Sequence, residues 1–150
     1  MIIWYSDDEL MIKLSEEPHI DVRYAKPSTT KKEKEKVHEK PFVLKNKIDV
    51  VLVDLIEQEE YSFEIPAGYC WDGATIPKFF FRVVGANTDN KFLIPSLIHD
   101  VLCENHDYIN NDRYFSTIVF ERLLYVSDVN FFKRWIMKHS VDNFQKFCNW

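Results

Sequence analysis

From residue 61 to residue 65 apolar and polar side chains alternate strictly, with Tyr61, Phe63 and Ile65 set against Ser62 and Glu64. That period of two predicts a β-strand with one buried face. Apolar runs bounded by acidic or Pro-containing turns predict further strands at residues 2–5, 10–14, 20–24, 42–44 and 48–56. Beyond Pro77 the period lengthens to that of a helix. Residues 79–84 read as a short helix ended by Gly85, and residues 92–104 as a longer one, with Ile94, Leu97, Ile98, Val101 and Leu102 on one face. A third helix, capped by Asn110 or Asn111, runs to about Val126 with Phe115, Val119, Leu123 and Val126 as its stripe. A fourth, capped by Asp128, runs to about Cys148. Antiparallel strands followed by a bundle of about four helices predict an α+β fold.

Residues 26–40 interrupt this pattern, carrying six Lys and three Glu and almost no apolar side chains. They predict a flexible insertion in a single domain spanning 1–150. The net charge of -5, less the +3 of that insertion, leaves about -8 on the remainder, which argues against general nucleic-acid binding. No run of about eighteen apolar residues occurs, so no transmembrane segment is expected. Cys70, Cys103 and Cys148 are too far apart in sequence to suggest a disulfide framework or a structural zinc site. Aromatic residues make up 15% of the chain, and Phe131, Phe132, Trp135, Phe144, Phe147 and Trp150 crowd its end. That stripe is either helical core or a contact with a neighbouring subunit.

Three short polar motifs carry the candidate chemistry. Gly68 and Gly73 bracket Asp72 within a stretch closed by Pro66 and Pro77, where the backbone turns in ways a Cβ resists. His99 and Asp100 follow on the 92–104 helix, each roughly 130° from the centre of its apolar face and on opposite flanks. They point to solvent, or the Gly68 loop or the next helix covers them. Asp112 falls in line with the buried stripe of its own helix, and an inward carboxylate needs a partner, with His99 and Arg113 as candidates. Its other reading is an acid favoured in a helix first turn, just as Asp72 could be an Asx-type turn residue. Taken together the motifs predict one site in which Asp72, His99 and Asp112 converge. His19, His38, His106 and His139 lack such company and are expected at the surface.

Pro66-Ala67-Gly68-Tyr69, then Asp72-Gly73-Ala74-Thr75-Ile76-Pro77, His99-Asp100-Val101-Leu102 and Asp112-Arg113-Tyr114-Phe115 resemble the motifs of domain-of-unknown-function family 1353, common in bacteriophages and prophages. The resemblance spans roughly residues 60–125, with Thr75 where Ser is usual and Cys103 where an aromatic is usual. It implies a phage protein, made in the host cytoplasm and with the virion as a further destination, but no reaction. A more distant likeness is to phospholipases A2, whose helical His-Asp pair activates water and binds calcium. That likeness implies a hydrolase-like site acting on an ester or amide of the cell envelope. His99 would be general base, Asp112 would orient it, the loop of Gly68, Asp72, Gly73 and Thr75 would complete the site, and Asp100 with Asp72 would hold Ca²⁺. The rival is a non-catalytic tail, baseplate or host-interaction protein. Its His/Asp cluster is a structural network, and its partners are phage structural proteins or further copies of itself.

Overall fold

A computed structural model describes residues 1–23, 30–32, 35, 40–73 and 90–147. Among the described residues seven strands form two antiparallel sheets: β1 (Ile2–Ser6), β2 (Leu10–Leu14), β3 (Ile20–Val22), β4 (Phe42–Leu44), β5 (Ile48–Asp54), β6 (Glu59–Ile65) and β7 (Cys70–Trp71). The four-stranded sheet has the order β1-β2-β5-β6, and the three-stranded one β3-β4-β7. Helices follow: α1 (Leu93–Glu104), preceded by a 3₁₀ turn at Asn90–Phe92, then α2 (His106–Ile109), α3 (Arg113–Val126) and α4 (Phe131–Phe147). This is an α+β arrangement, as the change of hydrophobic period implies.

The period of two fixes which sheet face is inside. Leu10, Ile12 and Leu14 of β2 are buried, as are Ile48, Val50 and Leu52 of β5, and the residues between them are partly exposed. In β6 the expected alternation holds, with Ser62 and Glu64 exposed and Ile65 buried. Leu97, Ile98, Val101 and Leu102 of α1 join Phe115, Val119 and Leu123 of α3 in the same core cluster as these strands. Helix α3 has a second apolar flank. Its Phe120 and Leu124 enter another cluster with Ile136, Met137 and Val141 of α4, so α3 packs between α1 and α4.

Several expectations need correcting. Asp112, rather than Asn110 or Asn111, caps α3. Asn130, rather than Asp128, supplies the capping oxygen of α4, through a 2.9 Å bond from the Lys133 N–H. Phe131, Phe132, Trp135 and Phe144 are exposed, and the core face of α4 is the Ile136, Met137 and Val141 stripe instead. The two-residue strand β7 and the single turn of α2 were not expected. His19 and His139 are exposed, as anticipated. The helix expected at 79–84, the greater part of the lysine-rich insertion, His38, Thr75, Cys148 and Trp150 lie outside the described residues.

Candidate functional site

A turn delivers the chain from one sheet to the other. The Tyr69 N–H bonds the Pro66 carbonyl at 3.2 Å, closing a β-turn whose third residue, Gly68, has φ 93°. A turn with positive φ at that position favours glycine. The Gly68 N–H then donates to the Leu44 carbonyl at 2.7 Å, and the Leu44 N–H to the Tyr69 carbonyl at 2.9 Å. This stitches the corner to β4. Strand β7 continues the ladder, pairing Trp71 with Phe42 and Cys70 with Val43. Trp71 is fully buried and its indole N–H donates to Ser96 Oγ of α1 at 3.0 Å. The residue after Trp71 is therefore held beside α1, and Gly73 follows it at φ 89°, a backbone conformation that favours glycine.

That residue is Asp72, and it meets Asp100. The two carboxyl groups share a hydrogen bond, and the Asp100 carboxyl is pushed up from 3.8 to about 9. Burial is the largest cause, followed by the negative charge and hydrogen bond of Asp72 and by the charge of Glu104, while Lys40 pulls the other way. Two carboxylates in one site cannot both ionise cheaply, so one keeps a proton. At neutral pH that one is Asp100. Asp72, exposed to solvent, is the acceptor.

Around the pair stands a ring of polar groups. The Tyr69 hydroxyl donates to Glu104 Oε2 at 2.7 Å, and Glu104 Oε1 lies 3.7 Å from Lys40 Nζ. Burial and the Glu104 contact raise the Tyr69 phenol, which stays protonated. The Tyr69 ring lines a cleft of about 340 Å³ with Phe63, Ile65, Pro66, Val101 and Ile109. Thus one face of Tyr69 borders an apolar cleft and its hydroxyl reaches the polar ring. Sequence reasoning missed Tyr69, Glu104 and Lys40. Glu104 stands four residues after Asp100 on one helix, a spacing that could have flagged it.

His99 has another place. It is 4% exposed, its ring lies 4.9 Å from that of Phe120, and Cys103 Sγ sits 3.6 and 3.7 Å from its two nitrogens. His99 lies off the stripe that faces the sheets, and of the alternatives its position left open, solvent or cover by the loop or the next helix, it is α3 that covers it. Burial alone lowers its pKa from 6.5 to about 4, so it is neutral at physiological pH and shielded from water.

Asp112 is exposed rather than inward, and its Oδ1 accepts from the Phe115 N–H at 2.6 Å as the N-cap of α3. Among the described residues no hydrogen bond or ion pair joins it to His99, and Arg113 pairs with Asp142 of α4 at 3.3 Å. Asp112 instead lines a different cleft, of about 440 Å³, with Glu9, Asp54, Glu57 and Glu59. The structure thus brings Asp72 to Asp100 and leaves His99 and Asp112 elsewhere. The His-Asp dipeptide divides, because successive helix residues point about 100° apart. Among the described residues no three His, Cys, Asp or Glu side chains gather in a way that could hold a metal ion.

Fold and site define an α+β protein that presents a carboxyl pair where the end of a short strand meets a helix. The chain belongs to the family described as protein of unknown function DUF1353, whose model matches residues 50–141, from β5 into α4. It is also 33% identical over 61 residues to the uncharacterized protein y4jT of Sinorhizobium fredii, an alignment covering 35% of this chain and 18% of that protein. The chain thus spans under a fifth of that relative. No solved structure matches.

Proposed function

We propose that the Asp72–Asp100 pair is an acid–base site that adds water to the carbonyl of an ester or amide. The observation that supports this is the hydrogen bond between an exposed carboxylate and a half-buried, protonated carboxyl. The Asp72 carboxylate takes a proton from water as its oxygen attacks the carbonyl carbon, and the Asp100 carboxyl gives its proton to the carbonyl oxygen. Collapse of the tetrahedral adduct expels the alcohol or amine, which takes a proton in turn, and the pair recovers its single shared proton. Glycoside cleavage is disfavoured, since its carboxyls stand about 5 Å or more apart. The cleft beside Tyr69 would take an apolar part of the substrate. In the phage setting that the sequence motifs imply, that substrate is a component of the cell envelope.

A close carboxylate pair can be neutralised by a proton or by a cation. The proton is adopted because the Asp100 carboxyl is raised far above its ordinary value and, among the described residues, no third His, Cys, Asp or Glu joins the pair in a group that could hold a metal ion. Calcium assistance predicts instead that millimolar Ca²⁺ raises the melting temperature and that Asp100→Asn removes the rise. The test of the acid–base reading is hydrolysis of a panel of p-nitrophenyl esters and anilides. Activity should fall by about 100-fold or more in Asp72→Asn and Asp100→Asn, persist in Asp112→Ala, and decline as pH rises through about 9. Hydrolysis indifferent to both Asn variants, or none on any member, would count against the reading.

A further inference from the structure

Strand β6 ends its sheet, with β5 on one side and, among the described residues, no strand on the other. The ladder shows which of its peptide groups face out. Asp49, opposite Glu64, donates its N–H to Ser15 Oγ at 2.9 Å and accepts from the Ser15 N–H at 3.0 Å, both on the side away from β6. Opposed residues of an antiparallel pair alternate between bonded and non-bonded, so Glu60, Ser62 and Glu64 turn their N–H and C=O groups outward. Among the described residues no backbone bond meets those groups. Ser62 and Glu64 line the cleft of about 340 Å³, together with Phe63, Ile65 and Pro66. Neighbouring strand side chains point to opposite faces, so a cleft that touches all of them runs along the edge. Its far wall is Tyr69, Val101, Tyr108 and Ile109. Glu64 pairs with Lys47 at 3.3 Å, but among the described residues Glu59 and Glu60 meet only the hydroxyls of Tyr61 and Ser62, so their charge is uncompensated.

We propose that this cleft binds an extended peptide of alternating apolar and basic residues as an added strand on β6. Peptide groups offer donors and acceptors at the repeat of the outward groups, about 7 Å. An acyl chain offers none and would leave them covered and unpaired. Side chains on the face of Tyr61, Phe63 and Ile65 meet the apolar wall. Those on the face of Glu60 and Glu64 meet acids, where cross-strand pairing favours lysine or arginine. A second copy is the poorer occupant, because a two-fold contact through this edge sets the exposed Glu60 and Glu64 against the same acids. Tyr69 links cleft and carboxyl pair, lining the one while its hydroxyl bonds Glu104, four residues beyond Asp100. As a substrate class, an amide within such a peptide, the inference rests on the reading of that pair; as binding it does not.

The experiment is fluorescence anisotropy of the full chain with a labelled peptide of alternating valine and lysine. N-methylation of one set of alternate residues should weaken binding about tenfold, and N-methylation of the other set should not, since only one set of N–H groups can face β6. A valine–glutamate counterpart should bind several-fold more weakly. Ser62→Pro should weaken binding about tenfold with a melting curve close to native, because its N–H lies outside the ladder. Tyr108→Ala, at a side chain 88% exposed, should weaken binding several-fold without touching the fold. Absence of binding, an equal effect of the two methylations, or self-association that Ser62→Pro abolishes overturns the proposal. Asp100→Asn should bind the peptide as the native chain does but not cleave it. Binding without cleavage by the native chain upholds the docking and counts against the carboxyl pair alone, whereas ester hydrolysis without peptide binding overturns the docking alone.

Discussion

Replacing Asp100 by Asn removes the one group whose proton distinguishes the two halves of the pair, while keeping its shape and a donor toward Asp72. In the folded chain Asp100 holds its proton up to about pH 9, whereas unfolded it ionises above its ordinary value of 3.8. Between those limits the unfolded state binds fewer protons, so stability falls as pH rises, and the full penalty is reached above about 9. The window from pH 6.5 to 8.5 is dominated by this effect, with the unfolded imidazole of His99, ordinarily at 6.5, adding a smaller opposite slope at its lower end. His99 titrates below it, Asp7 is held below the usual carboxylate range, and Tyr5 is pushed up to about 12. Each pH unit is worth about 1.4 kcal/mol, so the native chain should lose roughly 3 kcal/mol across the window. For a chain of this length that is a fall of about 6–12 °C in melting temperature. Asp100→Asn should be nearly flat over the same range and should melt above the native chain at pH 8.5. Thermal unfolding followed by circular dichroism at half-unit steps is sufficient. A native profile as flat as the variant's, or a variant that loses stability in parallel, would refute the shared-proton account.

His99→Ala should cost about 2–4 kcal/mol in chemical denaturation, because it opens a cavity against Phe120. Between pH 6.5 and 4 the unfolded imidazole takes up a proton that the folded one refuses, a slope that opposes that of Asp100; in an Asp100→Asn background the chain should therefore lose stability as pH falls through this range, and adding His99→Gln should remove that slope in acid unfolding. Asp112→Ala should cost about 1 kcal/mol as the loss of a helix cap and should leave the alkaline slope of Asp100 unchanged. Gly68→Ala should cost about 1 kcal/mol through backbone strain at φ 93° alone, because an added Cβ meets nothing within 4 Å; a larger loss in urea unfolding would contradict that.

Strands such as Leu10–Leu14 and Phe42–Leu44 were legible residue for residue, because their side-chain period and bounding turns are local properties. Strand β7 was not, since two residues have no period and Cys70–Trp71 becomes a strand only by pairing with β4, nearly thirty positions earlier. The same non-local step keeps the carboxyl pair out of the local pattern, and Asp72 is set beside Asp100 only as one of the calcium ligands that the phospholipase likeness implies. Asp72 and Asp100 each stood out in the sequence, Asp72 for its flanking glycines and Asp100 for its place off the apolar stripe. Their union depends on the Trp71 to Ser96 bond between sheet and helix. His99 misleads for a related reason: a single helix shows which face is most apolar, but it cannot show that α3 will cover a second flank. Asp112 sat on the apolar line of its helix, yet at the first turn the unpaired Phe115 N–H claims its carboxylate before any distant partner can.

The measurement that tests the central claim most directly is a carboxyl titration of the intact chain by ¹³C NMR, with aspartate labelled at Cγ and the Asp100 resonance assigned from its disappearance in Asp100→Asn. The account predicts a midpoint near 9 for Asp100, accompanied by a response of the Asp72 resonance over the same range, since the two share a hydrogen bond. A midpoint near the ordinary 3.8, with no linked change at Asp72, would show that no proton is shared and would contradict the account.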